Sequence, residues 1–97
     1  MTEIKVLEKE VEQYLKWAVE RKGGKSYKFT SPSHRGAADR VIILPKGKVF
    51  FIEVKTVGGK LSELQKKFGA EVTQLNANYE VLWSKEQIDD FIKRNAE

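Results

Sequence analysis

The segment GAADRVIILPKGKVFFIEVK, Gly36 to Lys55, constrains this chain more than any other. Two apolar runs, Asp39 to Leu44 and Lys48 to Thr56, flank Pro45-Lys46-Gly47. The spacing predicts an antiparallel hairpin, and strands apolar on both faces belong to a sheet covered on both sides. Into the second strand the sequence sets Glu53-Val54-Lys55. Strand alternation makes Glu53 and Lys55 project from one face while Val54 points away. A carboxylate and an ammonium inside such a strand are costly to bury without a partner or a task.

The loop length decides where Asp39 points. With a two-residue loop of Lys46 and Gly47, Asp39 would lie opposite Val54 and face away from Glu53. A three-residue loop of Pro45, Lys46 and Gly47 pairs Leu44 with Lys48 and sets Asp39 across from Glu53. Residue types favour the second arrangement, since Pro suits the first central position of a type I turn and Gly the left-handed bulge that follows. Opposed side chains start about 5 Å apart. Two carboxylates so placed can share one cation.

Around this hairpin the pattern is regular. Residues from about 3 to 22 carry Leu7, Val11, Tyr14, Leu15 and Ala18 at helical spacing, stopped by Gly23-Gly24. Tyr27 and Phe29 alternate with polar neighbours, so 25–31 reads as a strand, and Ser31 to Gly36 is turn chemistry. Gly58-Gly59 frees the chain into Ser62-Glu63-Leu64-Gln65, a capping box opening a helix with an apolar stripe of Leu64, Phe68, Val72 and Leu75. Tyr79 to Trp83 is a last strand. Ser84 to Gln87 is a second capping box, before a helix with Ile88, Phe91 and Ile92 inward. Trp17 and Trp83 are expected in the core, the alternative being an exposed role at a dimer surface. The order is αβββαβα in one domain, 1–97.

Composition bounds the function. With 97 residues and 40% hydrophobic content the chain allows one compact domain, small enough for dimerisation to be plausible on size alone. The net charge of +4 divides unevenly: residues 1–20 carry −2, 21–67 carry +9 and 68–97 carry −3. The basic charge thus surrounds the hairpin, where counterion release would favour phosphate binding, although a solvated lysine-rich surface explains it equally well. The chain has no cysteine and one histidine, which excludes thiolate zinc sites and makes a histidine metal site improbable. No signal peptide or membrane-spanning run is present, so a soluble, cytoplasmic protein is expected.

An Asp, a short hairpin and then Glu-x-Lys form the core pattern of the PD-(D/E)XK nuclease superfamily. The wider text, KFTSPSHRGAADR, then FFIEVK, a Gly pair and LSELQ, resembles a virus-type replication-repair nuclease (VRR-NUC) domain from about Glu8 to about Phe91. Where the family usually has Pro before the Asp, Ala38 stands here, a small loss of backbone rigidity. The resemblance implies a restriction-endonuclease-like α/β fold and cleavage of DNA with Mg²⁺ or Mn²⁺. It also implies a homodimer acting on branched DNA, notably four-way (Holliday) junctions, as stand-alone phage members do. A flap- or end-directed nuclease of the same superfamily and a non-cleaving DNA-binding module are the alternatives.

The same resemblance implies the site. Asp39, Glu53 and the Val54 backbone carbonyl would ligate the metal. A helix-one acid would join them, Glu8 by its place in Glu-x-x-Val-Glu-x-x-Leu and Glu12 as second choice, while Glu10 points away from the apolar stripe. Lys55 would orient water or neutralise developing charge. Gln65 would stand near metal and phosphate, or merely complete the capping box. Lys28, Ser31, Ser33, Arg35, Lys60 and Lys66 would hold the DNA backbone, and a solvated surface is the plain alternative for each. His34 as a general base is improbable. Without a metal, Asp39 would cap a turn and Glu53 would pair with Lys55.

Overall fold

The computed structural model describes residues 6–31 and 36–96. Helix α1 spans Glu8–Arg21, strand β1 Lys25–Lys28, β2 Arg40–Leu44, β3 Lys48–Val54, helix α2 Glu63–Gln74, β4 Asn78–Leu82 and α3 Lys85–Asn95. The strands form one sheet in the order β1-β2-β3-β4. The first three are antiparallel neighbours and β4 runs parallel to β3. The parallel pair needs a crossover, which α2 supplies.

One face of the sheet carries the core. Ile42, Leu44, Phe50, Ile52, Val54 and Leu82 alternate inward and meet Val11, Leu15, Ala18 and Val19 of α1 and Ile88, Phe91 and Ile92 of α3. Phe50 meets Phe91 edge-on at 5.0 Å. Helix α1 begins later than its periodicity suggested: Leu7 is extended (φ −78°, ψ 147°), so it lies outside the stripe and is exposed. At the other end Gly23 is left-handed (φ +83°). Gly24 passes so close to β2 that a Cβ there would stand 2.7 Å from the Ile43 carbonyl oxygen.

The opposite face is only partly covered, which corrects the expectation of a sheet buried on both sides. Helix α2 lies toward β4, and Phe68 joins Phe29, Phe51 and Tyr79 in a chain of ring contacts. Beyond its reach Ile43 and Val49, a direct cross-strand pair, stay 37% and 40% exposed. The stripe of α2 is also narrower than its spacing implied. Gly69 is buried and Phe68 and Val72 half-buried, whereas Leu64 and Leu75 are exposed. The helix seats through its glycine against the Tyr79 ring, which turns both leucines outward. Trp17 is likewise not in the core: it is 49% exposed on α1, with the Arg21 guanidinium 4.7 Å from its ring centre, and Trp83 is half-buried.

The hairpin register is the three-residue one, with Leu44 opposite Lys48 and Arg40 opposite Ile52. Gly47 is left-handed (φ +74°), but so is Lys46 (φ 73°, ψ 18°), which excludes the type I turn expected, where Lys46 would have a negative φ. An L-residue in this region is strained by about 1–2 kcal/mol. Lys46→Gly is therefore expected to stabilise the fold by roughly 0.5–1 kcal/mol after the entropy of the added glycine, and Gly47→Ala to destabilise it by about 1 kcal/mol. Urea unfolding midpoints of the two variants check the pair.

Candidate active site

Register and backbone bonding place Asp39 first. It stands one residue before β2, where its carbonyl accepts from the Phe29 N–H at 2.9 Å, and the pairing of Arg40 with Ile52 carries on to set it across from Glu53. Its Oδ2 accepts from the Val54 N–H at 2.8 Å. The carboxylate is thus tied to the strand that bears Glu53. Val54 meets the site through its amide.

Glu53 is 1% exposed and is the one buried charged residue among those described. Its Oε2 accepts from Gln65 Nε2 at 2.9 Å. Its Oε1 is buried with no hydrogen-bond partner. Burial first, then the Asp39 charge and a hydrogen bond that Asp39 makes with the protonated form, with a smaller rise from Glu8 and against the opposing charge of Lys55, push the Glu53 carboxyl up to about 8. The two carboxyls are close enough to share one proton. A positive charge placed between them would remove both the repulsion and the unpartnered oxygen.

Gln65 holds this carboxylate because of where α2 begins. Ser62 caps the helix, its Oγ accepting from the Gln65 N–H at 3.1 Å, and Gln65 Oε1 accepts from the Ser62 N–H at 2.8 Å. That second bond fixes the amide's oxygen toward the cap and so aims its nitrogen at Glu53. The local and the functional readings of Gln65 were posed as alternatives, yet the two ends of one amide satisfy both. The second predicted box is only half formed: Ser84 Oγ accepts from Gln87, but Gln87 Oε1 turns to the Trp83 N–H at 2.9 Å. Upstream, Gly36 (φ +84°) lies against the first turn of α2, where a Cβ would stand 2.5 Å from the Leu64 carbonyl carbon.

The remaining candidates separate. Glu12 is held at 2.8 Å by Arg40, whose Nη1 also donates to Ser26 Oγ at 3.4 Å, so the second-choice acid is engaged elsewhere. Glu8, exposed at the start of α1, is near enough to act on Glu53. Among the described residues no three carboxylates or imidazoles converge closely enough to form a ready metal cluster. The site is an opposed pair with Glu8 at longer range. Lys55 is half-exposed, its backbone N–H bonded to the Leu82 carbonyl at 3.0 Å. Lys28 pairs with Arg40 and so projects from the other face of the sheet, away from the carboxylates. Lys60 and Lys66 are exposed near the start of α2, Lys66 bonded to Glu63 at 3.3 Å. Ser31 is half-buried, while Ser33, His34 and Arg35 lie outside the described residues. Arg40 was missed in the sequence; its position opposite Lys28 and Ile52 was the available signal, since an arginine on an inward-facing register needs a carboxylate.

With this geometry in place, relatives become informative. A family model for the VRR-NUC domain matches residues 6–86. The chain belongs to the VRR-NUC family. It is 37% identical over 81 residues to a protein of Acyrthosiphon pisum secondary endosymbiont phage 1 named "Putative nuclease p44", a match taking in 84% of this chain and 87% of that protein. A solved "VRR_NUC domain" structure is 31% identical with a TM-score of 0.85, covering 91% of this chain and 96% of that one. This VRR-NUC chain shares with that structure the mixed α/β fold of a four-stranded sheet flanked by helices. Nuclease domains of this kind typically use divalent metals.

The orphaned oxygen and the opposed pair fit such an ion, since hard divalent cations take carboxylate oxygens and fill their other positions with water or phosphate. The proton that Glu53 holds in the folded state up to about pH 8, against 4.5 when unfolded, has a consequence for stability. The folded chain binds more protons than the unfolded one between these values, so the Glu53 contribution is full below pH 4.5 and is lost as the pH rises through about 8. In chelator, the melting temperature is expected to fall across this window, and Glu53→Gln to flatten the fall. Parallel melting curves for the two proteins would contradict the assignment.

Proposed function

We propose that this chain, as one domain over 1–97, is an endonuclease that cleaves DNA phosphodiester bonds with Mg²⁺ or Mn²⁺ and acts as a homodimer on branched DNA, four-way junctions above all. The observation that carries the reading is the buried Glu53 carboxylate, opposed to Asp39 and short of one partner. The family match and the phage relative's name support nuclease chemistry. Among the described residues no helix is long and apolar enough to cross a membrane.

In this reading Asp39 and Glu53 hold the cation, with the Val54 carbonyl and Glu8 completing its protein ligands. When bound, the metal supplies a Lewis acid that lowers the pKa of water and neutralises charge on the phosphodiester. Gln65 fixes the rotamer of Glu53 from the cap of α2, so the ligand is oriented before substrate arrives. Lys55, near enough for its charge to act on Glu53, faces the reacting phosphate and offsets negative charge as it develops. Lys60, Lys66, Ser31, Ser33 and Arg35 engage the sugar-phosphate backbone without reading bases. Lys28 joins that track only through a strand passing around the β1 edge of the sheet. Retention of Asp39, Glu53 and Lys55 together argues against a non-cleaving module.

Two-fold symmetry is the reason for the homodimer. One chain offers one carboxylate pair, and a four-way junction needs two symmetric cuts. The +9 segment would make binding fall steeply with salt.

Asp39→Asn and Glu53→Gln are each expected to reduce cleavage to background while DNA binding and folding persist, because each removes a charge at nearly constant shape. Lys55→Ala should cost roughly 10²–10³-fold in rate but leave metal binding intact by calorimetry. The checking measurement is an end-labelled panel of duplex, single strand, flap and four-way junction, with Mg²⁺, Mn²⁺ or chelator, beside light scattering of the protein alone and on the junction. Near wild-type cutting by either carboxylate variant would remove the site assignment. A monomer that prefers flaps or ends would replace junction resolution by the flap-directed reading.

A further inference from the structure

Two buried side-chain atoms among the described residues lack a hydrogen-bond partner, Glu53 Oε1 and Tyr79 Oη. They share one face of the sheet. In the parallel register Phe51 stands beside Tyr79 and Glu53 beside Val81, so alternation sends the Tyr79 ring out on the side of Glu53, one step earlier along the strands. The ring is clamped there. A Cβ on Gly69 would lie 2.5 Å from its Cε2 and 2.9 Å from its Cζ, so only glycine leaves room, and Phe68 packs against it with ring centres 6.1 Å apart. A phenylalanine would fill this slot without burying an unpaired hydroxyl, which is unfavourable. A phenol keeps its proton at neutral pH, so the group is a hydrogen-bond donor on the face that carries the Glu53 and Asp39 carboxyls.

We propose that Tyr79 is a positioning residue of the carboxylate site, its hydroxyl donating through one water to the otherwise unpartnered Oε1 of Glu53 and fixing that oxygen for a divalent cation. The inference rests on the metal-site reading above and extends it to a residue on β4. A carboxylate oxygen has two lone pairs, so Oε1 can accept this bond and still ligate. Partners of this kind orient ligating carboxylates and typically contribute tenfold or more to metal affinity.

The test is Mn²⁺ binding to the full chain by calorimetry, for wild type and Tyr79→Phe, with melting temperatures in chelator. The expected result is a roughly tenfold weaker affinity in Tyr79→Phe with an unchanged or higher melting temperature, since the ring packing is kept. A second measurement does not depend on that variant's folding. In chain labelled with 3-fluorotyrosine, the ¹⁹F resonance of Tyr79, assigned against the other two tyrosines by their Phe variants, should move on adding Mg²⁺, and Glu53→Gln should abolish the movement. Wild-type affinity in Tyr79→Phe, or a Tyr79 resonance indifferent to Mg²⁺, overturns the proposal while the metal site stands. Wild type that binds no Mn²⁺ overturns the metal site and this inference with it.

Discussion

A carboxylate taken out of water at the end of a strand is the constraint around which this molecule is arranged. Glu53 is 1% exposed, and burial of that kind is tolerated only with compensation. One oxygen has it from the Gln65 amide; the other, as long as Glu53 is ionised, has none, and the charge that faces it, from Asp39, is of the same sign. The nearby Lys55 offsets part of the penalty. The fold therefore stores an electrostatic deficit that a proton satisfies up to about pH 8.

Holding two like charges together requires a rigid frame, and three independent devices supply it. The β2–β3 register sets Asp39 across from Glu53, and the Val54 amide ties the Asp39 carboxylate in place. The cap of α2 orients Gln65 by its oxygen, so that helix start and the position of the Glu53 carboxyl are one arrangement. The Gly69–Tyr79 contact fixes how closely α2 approaches the sheet. The first lies in the β2–β3 hairpin and the other two bring α2 onto the sheet. Loosening any of them would be felt at the Asp39–Glu53 pair.

The core on the other face is conventional by comparison. Its cluster of α1, α3 and inward strand residues contains no charged side chain, and the Arg40–Glu12 pair sits at its border. Stability is thus concentrated on one side of the sheet and the electrostatic deficit on the other, where α2 covers only part of the surface. That division leaves the carboxylate side of the sheet partly open without exposing the core.

Much of this was legible in the amino-acid sequence because the signals are local. Loop parity at Pro45–Gly47 fixed the face on which Asp39 lies, two-residue alternation placed Glu53 with Lys55, and the Ser62–Gln65 spacing announced the start of α2. The family, the mixed α/β class and the inward residues of α3 followed from the same text. Contacts between elements were beyond it. Helical spacing alone gave α2 a stripe through Leu64 and Leu75, since nothing local says that Gly69 will seat on Tyr79 and rotate both outward. The left-handed Lys46, the exposed Trp17, the half-bare sheet face and the capture of Glu12 by Arg40 were equally hidden. Each depends on which surface another element occupies, and that is decided by packing across the sheet rather than by the order of residues along it.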